Sequence, residues 1–223
     1  MSEDESILFE RKGDLAVVTL NRPKALNALN LEMIEKMDPQ LKAWESDASV
    51  AAVLIKGAGE KAFCAGGDVR AVWQAGKDGG DLTKTFFYEE YRLNRRIHMF
   101  PKPYIAILDG VTMGGGVGLS VHGDFRIATE KLMFAMPETG IGFFPDVGGT
   151  WFLPRMPKET GTYCALSAGR LKQGDALETG VLTHTTSRQK LLALMKALET
   201  SDDIDATLRN FHVDAEPSEL MAR

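Results

Sequence analysis

Tyr104-Ile105-Ala106-Ile107-Leu108-Asp109-Gly110-Val111-Thr112-Met113-Gly114-Gly115-Gly116-Val117-Gly118-Leu119-Ser120-Val121-His122 holds the arrangement on which the fold turns. Tyr104 to Leu108 is an apolar run of strand length. A glycine-rich turn follows, and Val117 to His122 reads as a helix. The same order of glycine turn and helix start recurs upstream at Cys64-Ala65-Gly66-Gly67-Asp68. Such turns leave backbone N–H groups pointing outward where the helix dipole favours negative charge. Two of them converging would stabilise a carbonyl oxygen as it gains charge. Close packing of backbone on backbone, where only glycine fits, explains either turn alone equally well.

Outward from these turns the pattern alternates. Leu15 to Leu20 reads as a buried strand, and Asn21-Arg22-Pro23-Lys24 breaks it. Leu31, Ile34, Met37, Leu41 and Trp44 recur at helical spacing behind Asn30 as cap, with Pro39 expected to kink or divide the helix. Val53 to Ile55 is a second strand, followed by a loop reaching Gly67. A helix is expected over 82–99, and strands at Phe125–Ala128 and Leu132–Phe134. Further helices are expected near 148–155, 158–167, 174–179 and 188–198; beyond Ser201 the pattern weakens. Strands separated by helices at short intervals indicate an α/β fold.

The bulk properties narrow the function. The chain has 223 residues, 44% of them hydrophobic, which suits one domain with a small appendage. A net charge of -5 with both signs interspersed argues against a nucleic-acid partner. Cys64 and Cys164 are too few for a disulfide framework. Met1 to Glu10 is acidic and lacks the pattern of a secretory signal, and no apolar run reaches membrane-spanning length. The expectation is a soluble cytoplasmic enzyme.

Familiar motifs fail on spacing. Leu119 and Val121 occupy positions where a dinucleotide fingerprint needs glycine, and no G-x-x-x-x-G-K-S/T loop occurs. Gly118-Leu119-Ser120-Val121-His122 ends in His where a nucleophile elbow needs Gly, so Ser120 reads as a helix-packing residue. Cys64, between Phe63 and Ala65, reads as a small buried filler. The four histidines lack ligand spacing, so no metal is expected. Pro137-Glu138-Thr139 and Pro145-Asp146-Val147 remain, two acids a short loop apart among Met136, Ile141, Phe143 and Phe144. Apolar surroundings raise a carboxylate's pKa toward the range useful to a base or nucleophile. Turn capping by Glu138 and helix capping by Asp146 are the ordinary alternatives.

Together, Asn21-Arg22-Pro23-Lys24-Ala25-Leu26-Asn27, Ala62-Phe63-Cys64-Ala65-Gly66-Gly67-Asp68, Gly110-x-x-Met113-Gly114-Gly115-Gly116 and Met136-Pro137-Glu138-Thr139 resemble the crotonase (enoyl-CoA hydratase/isomerase) superfamily. Glu89-Glu90-Tyr91-Arg92-Leu93-Asn94 and Phe144-Pro145-Asp146-Val147-Gly148-Gly149-Thr150 are most similar to its 3-hydroxyisobutyryl-CoA hydrolase branch, which serves valine breakdown. The resemblance implies a spiral of repeated ββα units over 1–180, with 181–223 beginning a C-terminal helical region. It implies an oxyanion hole from the Gly67 and Gly115 amides, Glu138 as catalytic base or nucleophile, and Asp146 as its partner acid. Glu90, Gly115, Glu138 and Asp146 would contact the substrate; Lys24, Ala65, Gly66 and Gly67 would border the CoA moiety.

Hydratases of this superfamily carry a second glutamate shortly after the triple glycine, where this chain has Gly118. Hydrolysis of a small acyl-CoA thioester, with no cofactor beyond the CoA of the substrate, therefore fits better. A hydratase or isomerase using another acid such as Glu90, and a non-catalytic CoA-binding subunit, are the rivals. The hydrolase branch continues past the point matching Arg223, so a homo-oligomer or a second chain supplying that part belongs among the expected partners.

Overall fold

The computed structural model describes residues 5–222; Met1 to Asp4 of the acidic start, and Arg223, lie outside the described residues. The chain opens as a hairpin. Strand β1 (Ile7–Lys12) turns through Gly13 and Asp14 and pairs antiparallel with β2 (Leu15–Leu20). Helix α1 (Leu31–Ser46) comes next, its first turn closed by the Asn30 side chain accepting from the Met33 amide. Pro39 sits inside α1 without dividing it. Met33, Ile34, Met37, Leu41 and Trp44 are buried along one face, so packing carries the helix through Pro39 despite the lost backbone bond.

Beyond α1 the chain repeats a unit. Strand β3 (Ala52–Gly57) joins the large sheet, β4 (Ala62–Cys64) leaves it for a small one, and α2 (Val69–Lys77) and α3 (Leu82–His98) return the chain. Then come β5 (Tyr104–Leu108), β6 (Val111–Met113) and α4 (Gly115–Gly118), and after them β7 (Phe125–Ala128) and β8 (Met133–Ala135). Each unit gives its first strand to one sheet and its second to the other. The six-stranded sheet runs β1-β2-β3-β5-β7-β9 and the three-stranded sheet β4-β6-β8, where β9 is His184–Thr185. Parallel pairing throughout, except at β1, makes this the expected ββα spiral.

The C-terminal part contains α5 (Gly149–Phe152), α6 (Thr160–Ser167), α7 (Gln173–Glu178), α8 (Arg188–Leu198) and α9 (Ile204–Asn210). Alternate residues of the large sheet feed two cores. Ala16, Val18, Val53, Ile55 and Ala106 pack toward α1 and α3; Leu15, Val17, Leu54, Ile105 and Ile127 pack under Leu194, Leu198 and Leu208 of α8 and α9. The weakly patterned tail is tied down, with the Ser218 hydroxyl donating to Asp175 at 2.7 Å and the Val213 amide to the Thr185 carbonyl at 3.2 Å. Among the described residues no helix is long and apolar enough to cross a membrane.

Candidate active site

The two glycine turns meet because β4 and β6 are neighbours in the small sheet. A methyl placed on Gly115 would lie 3.2 Å from the Gly67 nitrogen and 2.6 Å from Oε1 of Glu90. Among the described residues, neither the Gly67 nor the Gly115 amide donates to a backbone or side-chain acceptor. The close-packing reading applies too, one residue along: a methyl on Gly116 would lie 2.3 Å from the Cys64 carbonyl oxygen. Gly116 thus locks the turns together, while Gly67 and Gly115 leave donors facing a cavity of about 410 Å³.

Three carboxylates line that cavity: Glu90 from α3, Glu138 at the start of the short 3-10 turn Glu138–Ile141, and Asp146 from the loop before α5. Glu138 is 7% exposed and its Oε2 has no partner among the described residues. Burial, with the Asp146 charge adding to it, pushes its pKa up to about 7 against the pull of its own backbone amide. Glu90 is 2% exposed, with Oε1 likewise unpartnered. Burial, then the charges of Asp146 and Glu138, push it up to about 8. Burial also raises Asp146, opposed by the Tyr91 hydroxyl, which donates to Oδ2 at 2.7 Å. Asp146 does not cap α5 with its side chain; its carbonyl accepts from the Gly149 amide instead.

Of the rest of the predicted set, Ala65 and Gly66 line the cavity, while Lys24, exposed on the 3-10 turn Pro23–Ala25, is not among its lining residues. That loop is stitched to the first glycine turn: the Ala65 amide donates to the Leu26 carbonyl at 3.0 Å, and Leu29 to Gly66 at 2.9 Å. Arg22 donates to the Ala28 carbonyl at 2.6 Å and pairs with Asp68 at 3.0 Å. Asn27, buried at φ 56, donates to the carbonyls of Ala58 and Ala62. These positioning roles, like that of Tyr91, have partners too distant along the chain to be seen in a local pattern. Cys64 is fully buried with its thiol pushed up to about 12, consistent with a filler and not a nucleophile. Ser120 donates into its own helical turn, to Gly116 at 3.0 Å.

A spiral of ββα units with two facing glycine turns over buried acids defines a family. The chain belongs to the enoyl-CoA hydratase/isomerase family, whose model matches residues 15–223. It is 53% identical over 219 residues to a protein of Danio rerio named 3-hydroxyisobutyryl-CoA hydrolase, mitochondrial, covering 94% of this chain and 57% of that one. The human protein of the same name is 50% identical over 216 residues, covering 95% of this chain and 56% of that one. The chain thus spans a little over half the length of these relatives. Among solved structures, a carnitinyl-CoA dehydratase from Mycobacterium thermoresistibile superposes with a TM-score of 0.94 at 42% identity, covering 98% of this chain and 64% of that one. An enoyl-CoA hydratase from Rhodobacter sphaeroides gives 0.90 at 36% identity, with coverage of 98% and 64%.

The relatives' names correct one expectation. They point to a mitochondrial location, not the cytoplasmic one read from the acidic N-terminus. Lack of a secretory pattern says nothing about which aqueous compartment holds a folded enzyme, since its core and surface obey the same physics in each.

Proposed function

We propose that this chain carries the catalytic centre of an acyl-CoA thioester hydrolase that converts 3-hydroxyisobutyryl-CoA to 3-hydroxyisobutyrate and CoA, a step of valine breakdown. The carrying observation is Glu138, a buried acid with an unpartnered oxygen, in one cavity with the free amides of Gly67 and Gly115. In the proposed reaction the thioester oxygen rests on those amides while Glu138 attacks the carbonyl carbon or deprotonates a water that does so. In the attack route the C–S bond breaks to leave an anhydride on Glu138, which water then cleaves to the free acid, restoring the carboxylate and supplying the thiolate's proton. In the base route the C–S bond breaks as Glu138 passes the proton it took from water to the departing thiolate. Asp146 orients the substrate hydroxyl or assists that proton delivery. Glu90 retains its proton at neutral pH, so it offers a donor and adds no second negative charge. Ala65, Gly66, Gly67 and Lys24 border the CoA moiety, and no resident cofactor is needed.

Position 118 supports hydrolysis over hydration. A methyl on Gly118 would already lie 2.8 Å from both the Asn94 amide nitrogen and Cβ of Val147, so the space a second glutamate would need is filled. The hydratase reading draws on the names of the solved neighbours and would have to use Glu90 as its second acid. Parallel assays separate the two: thiol release from 3-hydroxyisobutyryl-CoA, and loss of enoyl absorbance with a short enoyl-CoA. Thiol release alone is the expected result. Enoyl hydration alone, or CoA binding with neither activity, refutes the proposal.

A further inference from the structure

Asp146 lines two cavities. One is the reaction cavity, which Glu90 and Glu138 also line. The other, of about 510 Å³, lies on the far side and is walled by Asn94, His98, His122, Phe144, Val147 and Trp151. Its size falls in the range of small-molecule sites, ~300–1,000 Å³. Among the described residues, Asp146 is the one that lines both.

Two features hold it. Tyr91 follows Glu90 on α3, and its hydroxyl donates to Oδ2 of Asp146 at 2.7 Å, so one helical turn supplies both an acid to the first cavity and an anchor to its wall. Val147, next in the chain, adopts φ 42, a left-handed conformation that a β-branched residue takes only under constraint. Its carbonyl accepts from Nε2 of His122 at 2.8 Å, which pins the strained loop from behind. Beyond the wall, Asn94 is 5% exposed and neither atom of its amide has a partner among the described residues. That amide and the apolar walls of the second cavity would accept the remote part of a longer acyl chain.

We propose that Tyr91 is a positioning residue for acyl-length specificity: its hydroxyl fixes Asp146 as the end wall of the acyl site and keeps the acyl group out of the second cavity. This rests on the hydrolase reading, in which the acyl group extends from the two amides toward Asp146. With the hydroxyl removed, the wall is free to swing, short hydroxylated substrates lose their end contact, and longer chains gain room.

The test compares the protein with Tyr91→Phe on 3-hydroxybutyryl-CoA and octanoyl-CoA, measuring kcat and KM for thiol release. The expected result is a fall of about tenfold or more in the kcat/KM ratio of short to long ester, the weight of one charge-assisted hydrogen bond. Partial misfolding lowers both rates together and leaves the ratio untouched. An unchanged ratio overturns the proposal. If the unaltered protein releases no thiol from either ester, the hydrolase reading fails instead. Relative affinity for the two esters, measured by calorimetry, then decides the role of Tyr91 by the same ratio.

Discussion

Gly115→Ala tests the shape of the site most sharply. The new methyl would sit 2.6 Å from Oε1 of Glu90 and 3.2 Å from the Gly67 nitrogen, where relaxed heavy-atom contacts fall near ~3.5 Å. Glu90 is buried and boxed in, so relief must come from moving a glycine turn or the carboxyl. Overpacking of this kind costs about 1–3 kcal/mol of stability. The larger effect falls on turnover, because the methyl occupies the space a thioester oxygen needs between the two amides. Loss of one oxyanion donor lowers kcat by about 10²–10³, or ~2.7–4 kcal/mol of transition-state stabilisation. The assay is thiol release, normalised to folded protein by circular dichroism. Gly140→Ala is the control, since its methyl meets nothing within 4 Å; it should change the rate less than about twofold. A folded Gly115→Ala protein keeping more than a tenth of the activity would refute the placement of the oxygen.

Gly118→Glu should confer no enoyl hydration and should lower stability by about 1–3 kcal/mol in urea unfolding, because Asn94 and Val147 already fill the space. Glu90 makes stability pH-dependent: its folded pKa, about 8, lies above the unfolded value near ~4.3. Its contribution is therefore full below the unfolded pKa and lost as pH rises through 8, with Glu138 adding the same trend toward 7. Glu90→Gln should flatten the decline in thermal midpoint between pH 5 and 8, and an unchanged slope would count against a protonated Glu90. Iodoacetamide at pH 8 should leave thiol release intact, since Cys64 is fully buried with its thiol pushed up to about 12; inactivation matched by Cys64 labelling would contradict this.

How much of this was legible in the sequence depended on how local each signal was. Leu15–Leu20, Tyr104–Leu108, Phe125–Ala128 and Arg188–Leu198 have the bounds expected from their apolar patterns. Strands β4 and β6, three residues each, are too short for a period to show and lay hidden inside the glycine-rich loops. Edge strand β1 was masked by its charges, and β9 is only two residues long. Helix α2 carries a short apolar stripe, Val69, Val72 and Trp73, but buries only Val72, and its nine residues are too few for the period to stand out. Helix α4 begins on Gly115, two residues earlier than expected, because tertiary packing against Cys64 overrides the poor helix propensity of glycine.

The acids were visible as types in an apolar setting, but their assembly was not. Glu90 and Asp146 reach one cavity from elements 56 residues apart, and the Tyr91–Asp146 bond spans 55. Nothing local marks such a pair. The filled space beside Gly118 was equally invisible, although the glycine itself already argued for hydrolysis.

The proposed chemistry depends on the carboxylate of residue 138 acting on an ester carbonyl held by main-chain donors. Thiol release and acyl-CoA affinity should be measured together for the unaltered protein and for Glu138→Gln. The expected outcome is affinity within a few-fold and a rate lowered by about a thousandfold or more. Retention of a tenth or more of the rate would show that another group does the chemistry.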